Sequence, residues 1–240
     1  MKFYVVTLFP EVIDAYTQAS ILGRAQREKI LSIQSYQLRD YVAKTGRAGE
    51  WSYKKIDERP YGGGPGMIIQ AEPVIRAVES IVKKISNSKS KKKSDLIYQV
   101  TKTKVLITAA GGKPLTNAYA KNLSKKYSDV IIVCGRYEGI DARAKKVLKA
   151  EEVSVGPYIL TGGEVPALAI IDAAARQIPG VLGKFESLEE GRVASHEIYT
   201  RPEVLAHKGK KYRVPKVLLS GNPKLLDAWK NKKRSNPGTQ

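Results

Sequence analysis

The residues best suited to ligand chemistry lie in two glycine-bearing segments, each directly after a short apolar run. The first run, Val130 to Cys134, is rich in β-branched residues and predicts a buried strand of a parallel sheet. A second strand is predicted over Tyr158 to Leu160. The glycines that follow these two runs are Gly135, Gly139, Gly162 and Gly163. Parallel strands place ligands at their carboxyl ends, where glycine lets the backbone approach closely, so the two segments predict one shared pocket.

Ordinary tight turns would explain either pair of glycines taken alone. Tyr137, Glu138 and Tyr158 lie between the glycines, and their aromatic and acidic side chains favour a binding site. The spacing matches neither G-x-G-x-x-G nor G-x-x-x-x-G-K-[ST], so neither a dinucleotide nor a nucleoside-triphosphate site is indicated. A third glycine-bearing turn, residues 109–112, follows a strand predicted over Lys104 to Thr108 and would belong to the same pocket.

The charge of the chain indicates a polyanionic partner. Lys and Arg total 42 against 23 Asp and Glu, which gives a net charge of +19 at pH 7 and a pI near 9.8. Nucleic acid is favoured over an anionic membrane as this partner. The alternative is that the positive charge has no partner and only reflects a lysine-rich proteome. No apolar run is long enough to span a bilayer. The single cysteine, Cys134, excludes a disulfide framework and favours the reducing cytoplasm, and His196 and His207 do not make a metal site.

The elements that must position these residues alternate between strands and helices as far as residue 183. Strands are predicted over 3–8, 31–38, 104–108, 130–134 and 158–160, and helices over 10–18, 20–27, 71–85, 115–127, 138–148 and 164–177. This order predicts an α/β domain with a parallel sheet over residues 1–183. A flexible linker is expected over 184–200, and a small, basic, helical domain over 201–240.

Two surface segments carry further signals. Residues 40–66 interleave aromatic side chains with cations, a mixture that suits unstacked bases and phosphates: Trp51, Tyr53 and Tyr61 with Arg47, Lys54, Lys55 and Arg59. The glycine-rich part, residues 57–66, is interpreted either as a loop that becomes ordered on binding or as a static connector. The lysine-rich residues 86–94 are interpreted as a solvated surface loop rather than an RNA contact.

Six ordered segments resemble the bacterial tRNA (guanine-N1)-methyltransferases, the TrmD family within the SPOUT class of knotted, S-adenosylmethionine-dependent RNA methyltransferases. They read DERPYGGGPGM at 57–67, VCGRYEG at 133–139, SVGPYILTGGE at 154–164, IPGVLG at 178–183, YTRPEVL at 199–205 and VLLSGN at 217–222. The resemblance, and not the periodicity, implies a trefoil knot in the α/β domain. It also implies a homodimer with each site at the interface, a use of magnesium with the substrate, and methylation of N1 of guanosine 37 in tRNA with guanosine at 36 and 37.

The resemblance assigns cofactor contacts to residues of all three glycine-bearing segments. They are Thr108, Ala109, Gly135, Tyr137, Glu138, Gly139, Ser154, Val155, Gly156, Pro157, Tyr158, Ile159, Leu160, Gly162 and Gly163. Pro157 replaces the aspartate usual in the family, and Thr108-Ala109 replaces Ser-Pro. Because such loops hold the ligand chiefly through backbone groups, these changes need not abolish binding.

The resemblance also assigns catalytic and RNA-binding roles. Arg176 matches the arginine that stabilises negative charge on O6 of guanine; a helix-terminal arginine that complements the helix dipole is the alternative. The aspartate expected as general base has no counterpart, since Gly191 stands at its position, and Glu190 or Glu189 is the expected substitute. A second acidic position reads Ser195, with Glu197 close by.

Asp57, Arg59 and the basic C-terminal domain are expected to contact RNA. The missing aspartate leaves a second interpretation open, a catalytically impaired homologue that binds cofactor or RNA. A third is a related knotted methyltransferase acting on ribosomal RNA, which the matches near both ends of the chain disfavour.

Overall fold

The computed structural model describes residues 1–43, 55–89, 102–182 and 197–234. The chain divides into two compact units, Met1–Gly183 and Lys184–Gln240. Each unit is described by itself below. Residues 44–54 and most of the lysine-rich segment and of the expected linker lie outside the described ranges.

The first unit is built on a five-stranded parallel sheet. In chain order its strands are β1 (Lys2–Thr7), β2 (Ser32–Gln37), β5 (Thr103–Pro114), β6 (Asp129–Val133) and β7 (Glu151–Ser154), with a separate antiparallel pair β3 (Asp57–Glu58) and β4 (Ile68–Ile69). The sheet order is β2-β1-β6-β5-β7, and every neighbouring pair is parallel. The α/β class with a parallel sheet is therefore confirmed, while the knot stays a prediction.

Helices cover both faces of this sheet. They are α1 (Pro10–Thr17), α2 (Ser20–Arg27), α3 (Ala71–Lys89), α4 (Asn117–Lys126), α5 (Ala142–Leu148) and α6 (Glu164–Ala175), with a 3₁₀ turn over Leu38–Tyr41. Side chains alternate across the strands, so that Val130 and Ile132 pack with α1, α2, α4 and α6, whereas Ile131 and Val133 pack with α3 and α5. A strand covered on both sides must be apolar throughout, which is why β6 reads as an uninterrupted apolar run.

The small, apolar side chains of helix α6 pack into the core of the first unit. Ala167, Ile170, Ile171 and Ala174 are fully buried in the core on the α1 side of the sheet, and Leu168 is partly buried there. The face is thus occupied by the core of its own chain. Helix α6 starts at Glu164, with the pocket residues Gly162 and Gly163 immediately before it.

One predicted strand is wrong. Residues 158–160 form no strand, and the last sheet position is taken by β7, which ends four residues earlier. Pro157 explains the error, since proline donates no ladder hydrogen bond and interrupts a strand. Strand β7 was not predicted because the charged Glu151 and Glu152 interrupt an apolar strand pattern. Glu151 forms an ion pair with Lys104, and Glu152 forms one with Lys145.

Other boundaries shift by a few residues. The turn expected at 109–112 is instead an irregularity inside β5, where the register with β7 shifts between Thr108 and Lys113. Helix α5 begins only at Ala142, because the Asp141 side chain accepts a hydrogen bond from the Arg143 amide and caps it. Residues 135–141 therefore form a loop at the end of β6.

The second unit combines short helices with a hairpin that the sequence pattern did not predict. The helices are α7 (Lys216–Leu219) and α8 (Pro223–Arg234), and the antiparallel strands are β8 (Val204–His207) and β9 (Lys210–Arg213). Lys208 and Gly209 form the turn with φ of 46° and 74°. Two positive φ values are what a tight hairpin turn needs. Within the described residues, no helix is long and apolar enough to cross a bilayer.

A buried tyrosine at the amino end of the sheet gives the fold a pH dependence. The Tyr4 hydroxyl donates to Asp129 Oδ1 at 3.1 Å, and both side chains are almost fully buried. Burial first, and then the Asp129 carboxylate, raise the pKa of Tyr4 well above its ordinary value of 10. A raised folded-state pKa stabilises the fold below the unfolded pKa, and this stabilisation is lost as the pH rises above it.

We therefore expect Tyr4→Phe to flatten the alkaline loss of stability. Between pH 9 and pH 11 the Tyr4 group alone should remove about 1.4 kcal/mol from the free energy of unfolding, because its ionisation is resisted only in the folded state. Denaturant titrations at the two pH values measure the loss, with Tyr61→Phe at a fully exposed position as the matched control. An equal loss in the Tyr4→Phe chain and the unaltered chain would contradict this account.

Candidate active site

Three loops at the carboxyl end of the sheet enclose one cavity of about 430 Å³. They are residues 107–111 of β5, residues 135–141 after β6, and residues 152–163 at and after the end of β7. Fourteen of the fifteen residues with expected cofactor contacts line it: Thr108, Ala109, Gly135, Tyr137, Glu138, Gly139, Ser154, Val155, Gly156, Tyr158, Ile159, Leu160, Gly162 and Gly163. Pro157 does not line it. The wrongly predicted strand thus still lies at the expected pocket, as an irregular loop.

The three loops are joined to one another by short polar contacts. The Gly163 amide donates to the Gly135 carbonyl at 2.8 Å, and the Gly135 amide donates to Thr108 Oγ1 at 3.2 Å. The Thr108 hydroxyl in turn donates to the Val133 carbonyl at 3.4 Å. We call Thr108, Gly135 and Gly163 the loop junction. It fixes the three cavity walls relative to the sheet.

The loop junction has no room for a side chain at position 163. A Cβ there would lie 2.0 Å from Thr108 Oγ1 and 2.6 Å from the Gly135 nitrogen. Real Cβ atoms do not approach polar atoms that closely, so Gly163 is required for packing, whereas its backbone angles would suit other residues. Glycine here serves close approach, as the sequence predicted.

The loop after β6 is bound to the glycine-rich segment before β4. The Glu138 amide donates to the Met67 carbonyl at 3.0 Å, and the Ile69 amide donates to the Gly139 carbonyl at 3.0 Å. Tyr137 has a φ of +58°. Positive φ is uncommon for a residue with a side chain and costs on the order of 1–3 kcal/mol, and it concentrates at functional sites. The segment with expected RNA contacts therefore adjoins the cavity wall directly.

The lining combines apolar surface with charged side chains. Ile159 and Leu160 supply apolar surface, and Glu138, Asp141 and Glu152 bring carboxylates to the wall, with the cations Arg136 and Lys145 beside them. Asp141 and Glu152 are ion-paired with Arg143 and Lys145, and hydrogen bonds from Arg143 lower the pKa of Asp141. The volume lies within the range of small-molecule sites. A nucleoside such as that of S-adenosylmethionine fits the cavity size and its apolar surface.

The sequence pattern did not reveal an ion pair between Arg136, which lines the cavity, and the buried Glu164. Arg136 Nη2 lies 3.0 Å from Glu164 Oε2, and Glu164 is only 2% exposed. Thr7 Oγ1 donates to Glu164 Oε1 at 2.6 Å. The sequence pattern predicts Glu164 only as the start of a helix. The one available signal is a carboxylate directly after two glycines at a strand end, which is where a buried partner for Arg136 could lie.

Cys134 lies beside this pair and is not a nucleophile. The residue is 1% exposed, and burial first, then the Glu164 carboxylate, raise the pKa of its thiol. A thiol kept protonated has little reactivity. Cys134 therefore serves as a small buried apolar residue of the core.

Of the residues expected to be catalytic, Arg176 is not brought to the cavity within one chain. Arg176 follows the C-terminal end of α6, whereas the cavity touches the N-terminal end, and a helix of 12 residues spans about 18 Å. Glu189, Glu190 and Gly191 lie outside the described residues. A single chain therefore forms the cavity, and Arg176 stays apart from it.

Arg59, one of the two residues with expected RNA contacts, lines a second cavity of about 760 Å³ next to the first. Asp57 lies two residues before Arg59, in β3. Asp141 lines both cavities. Tyr61, fully exposed, lies on the same wall. Across the described ranges, no group of three or more metal-ligating side chains comes together.

Comparison with known protein families identifies similar chains. The family model described as tRNA (Guanine-1)-methyltransferase TrmD matches residues 1–240. A relative from Persephonella marina, named tRNA (guanine-N(1)-)-methyltransferase, is 39% identical over 98% of this chain and 83% of its own length. Relatives with the same name from Alkaliphilus oremlandii and Clostridioides difficile are 39% and 36% identical, each over 96% of this chain and 86% and 90% of their own lengths.

The loop junction predicts a strong effect of one methyl group. Gly163→Ala should lower the free energy of unfolding by about 1–3 kcal/mol, because the added Cβ must push Thr108 and Gly135 apart. It should also weaken binding of S-adenosylmethionine, since the cavity walls move with the junction. Thermal unfolding and titration calorimetry measure the two effects.

Gly111→Ala is the matched control for stability, because Gly111 lies on the same cavity wall with nothing within 4 Å of the added Cβ. Its melting temperature should stay near that of the unaltered chain. Equal melting temperatures for the two variants would show that the junction is not tight.

Proposed function

Since this chain belongs to the tRNA (guanine-N1)-methyltransferase family and methylates N1 of guanine in tRNA with S-adenosylmethionine, we propose that its target is guanosine 37, next to the anticodon, in tRNA with guanosine also at 36. The catalytic roles assigned below are part of the same proposal. The observation that carries it is the single cavity at the carboxyl ends of β5, β6 and β7, whose walls meet at the loop junction.

Cofactor binding is assigned to the fourteen lining residues named above. S-adenosylmethionine, when bound, supplies a methyl group already activated by its positive sulfur. The chain then has to hold the methyl carbon in line with N1 of the base, and positioning of this kind supplies much of the rate. The loop junction and the Glu138 carboxylate support this role, because they combine joined walls with a negative charge at the cavity.

Proton transfer and charge stabilisation are assigned to the other proposed residues. N1 of guanine carries a proton at neutral pH, and Glu190, or else Glu189, takes it as general base. Such transfer contributes about 10²–10⁴-fold to the rate. Negative charge develops at O6 as the methyl group moves, and the Arg176 guanidinium stabilises it there. Asp57 and Arg59 contact the RNA beside the cavity.

The homodimer is part of the proposal because one chain does not bring Arg176 to its own cavity. About 18 Å of helix separates Arg176 from the cavity end of α6. A second copy of the chain would supply the arginine across an interface. Magnesium is expected to bind together with the tRNA substrate. The cytoplasmic location of the protein stays a prediction.

Direct analysis of tRNA tests the target. Purified chain is incubated with S-adenosylmethionine and a tRNA transcript that has guanosine at 36 and 37, and the nucleosides and fragments are identified by mass spectrometry. We expect 1-methylguanosine at position 37 and none when adenosine replaces guanosine there. Methylation elsewhere would overturn the proposed target, and cofactor binding without methylation would indicate the impaired homologue.

Arg176→Ala should lower turnover by about 10²–10³-fold, the usual effect of removing one donor to a developing oxyanion. The affinity for S-adenosylmethionine should change little, because Arg176 does not line the cavity. Single-turnover kinetics and calorimetry separate the two quantities. A variant that loses cofactor affinity while keeping its turnover at saturation would remove Arg176 from the catalytic role.

The C-terminal unit is assigned to the tRNA backbone, and its hairpin supports this assignment. In contrast to the hairpin cations, Arg143 of the first unit forms an ion pair with Asp141. The hairpin cations are all exposed, and none of them is ion-paired with a residue that the structure describes: Lys208, Lys210, Lys211 and Arg213. Exposed cations that no described carboxylate engages are available to phosphates.

Replacement of Lys210 and Lys211 by alanine should weaken tRNA binding in a salt-dependent way. For each phosphate that the variant no longer neutralises, the slope of log affinity against log salt becomes shallower by about 0.7–0.9. The slope is measured by filter binding between low and physiological salt. The double change Lys121→Ala and Lys125→Ala on exposed positions of α4 is the control of equal charge; equal slopes for the two double variants would contradict a hairpin-specific contact.

A further inference from the structure

The ion pair of Arg136 with the buried Glu164 lies next to residues 157–162 of the cavity loop after β7. Few other side-chain hydrogen bonds hold these residues in place. Residues 157–162 form no helix or strand, and Tyr158, Ile159 and Leu160 are substantially exposed. Arg136 Nη1 donates to the Thr161 carbonyl at 3.3 Å. The Tyr158 hydroxyl donates only to the Val155 carbonyl, which belongs to the same loop. Within the described part of the chain, the Arg136 contact is thus the one side-chain hydrogen bond that ties residues 157–162 to another loop.

The guanidinium that makes this bond is itself fixed from two sides. Glu164 Oε2 lies 3.0 Å from Nη2, and the Phe9 ring stacks on the guanidinium at 4.4 Å from its centroid. Thr7 Oγ1 accepts from the Phe9 amide at 3.0 Å and donates to Glu164 Oε1, so the end of β1 orients both partners. The Arg136 side chain is 24% exposed, and these contacts on two sides restrict its rotation away from Thr161.

Gly162 makes the close fit possible. A Cβ at this position would lie 2.3 Å from Arg136 Nε and 2.6 Å from Glu164 Oε2. The ion pair is therefore packed directly against the backbone of the cavity loop. Burying a carboxylate is costly, and a structural role alone would be served as well by apolar side chains. The arrangement is explained if the pair sets the shape of the loop.

We propose that Arg136 is a positioning residue for S-adenosylmethionine, acting through the Thr161 carbonyl, and that Glu164 and Thr7 hold it in place. Arg136 orders the loop 158–162 before the cofactor arrives, so the cofactor does not have to order it. Preorganisation of this kind raises affinity by reducing the ordering cost of binding. The inference rests on the proposed cofactor site but assigns Arg136 no part in methyl transfer itself.

The test separates loop positioning from simple charge compensation. Arg136→Met should raise the dissociation constant for S-adenosylmethionine about tenfold, the effect of one charge-assisted hydrogen bond. It should also destabilise the chain, because Glu164 is left buried without its partner. Turnover at saturating cofactor should stay close to that of the unaltered chain, so the change appears in KM for the cofactor and not in kcat.

The double variant Arg136→Met with Glu164→Gln decides between the two roles. A neutral amide in place of the Glu164 carboxylate needs no cation, so thermal stability should return towards that of the unaltered chain. The affinity for S-adenosylmethionine should remain low, because no group reaches the Thr161 carbonyl. Recovery of both properties would overturn the proposal, as would an Arg136→Met variant that binds the cofactor normally.

A conservative variant and a distant control complete the design. Arg136→Lys keeps the charge beside Glu164 but lacks the fork that reaches Glu164 and Thr161 together, so stability should recover more than affinity. Arg76→Met breaks an exposed ion pair with Glu72 on α3 and should leave cofactor affinity unchanged. If the unaltered chain itself failed to bind S-adenosylmethionine in calorimetry, the proposed cofactor site would fall, and not this inference alone.

Discussion

The contact between Gly163, Gly135 and Thr108 is the constraint on which the site depends. Three strands end at the same edge of the sheet, but strand ends alone do not make a cavity, because their loops could diverge. Two hydrogen bonds of 2.8 and 3.2 Å bring the loops together, and the absence of a Cβ at position 163 lets them come that close. The wall residues then acquire their positions from the sheet.

The sheet is suited to this role because both of its faces are buried. Each residue of β6 is enclosed, and its alternate side chains belong to different halves of the core. Movement of β6 would disturb both halves at once, so the loop after it starts from a fixed point. The charged side chains near the cavity also differ from those of the C-terminal hairpin. Two charged pairs lie near the cavity, Arg136–Glu164 and Arg143–Asp141, whereas the hairpin cations form no ion pair with a residue that the structure describes.

The sequence predicted the parts of this design that depend on local pattern. The apolar run at Val130 and the helix that follows Gly163 have one reasonable interpretation each, and the structure agrees. Prediction failed where a local signal had two explanations. Tyr158 to Leu160 is apolar and followed by glycines, as a strand would be, and only Pro157 argued otherwise. Glu151 and Glu152 concealed a real strand because their charges are neutralised by lysines outside that strand. Buried Glu164 could not be foreseen either, since its partners come from the end of β1 and the loop after β6.

The loop junction and the walls it fixes consist largely of main-chain amides and carbonyls, and this limits how the site can change. A substitution replaces a side chain and leaves the amide in place, which explains how Ala109 and Pro157 can differ from the residues usual in the family while the cavity persists. Thr108 keeps the hydroxyl that the loop junction uses. The same property bears on inhibition. A compound that filled the cavity chiefly through main-chain contacts would leave few single substitutions by which the enzyme could escape it, because a side chain at Gly163 would push apart the loops that form the walls.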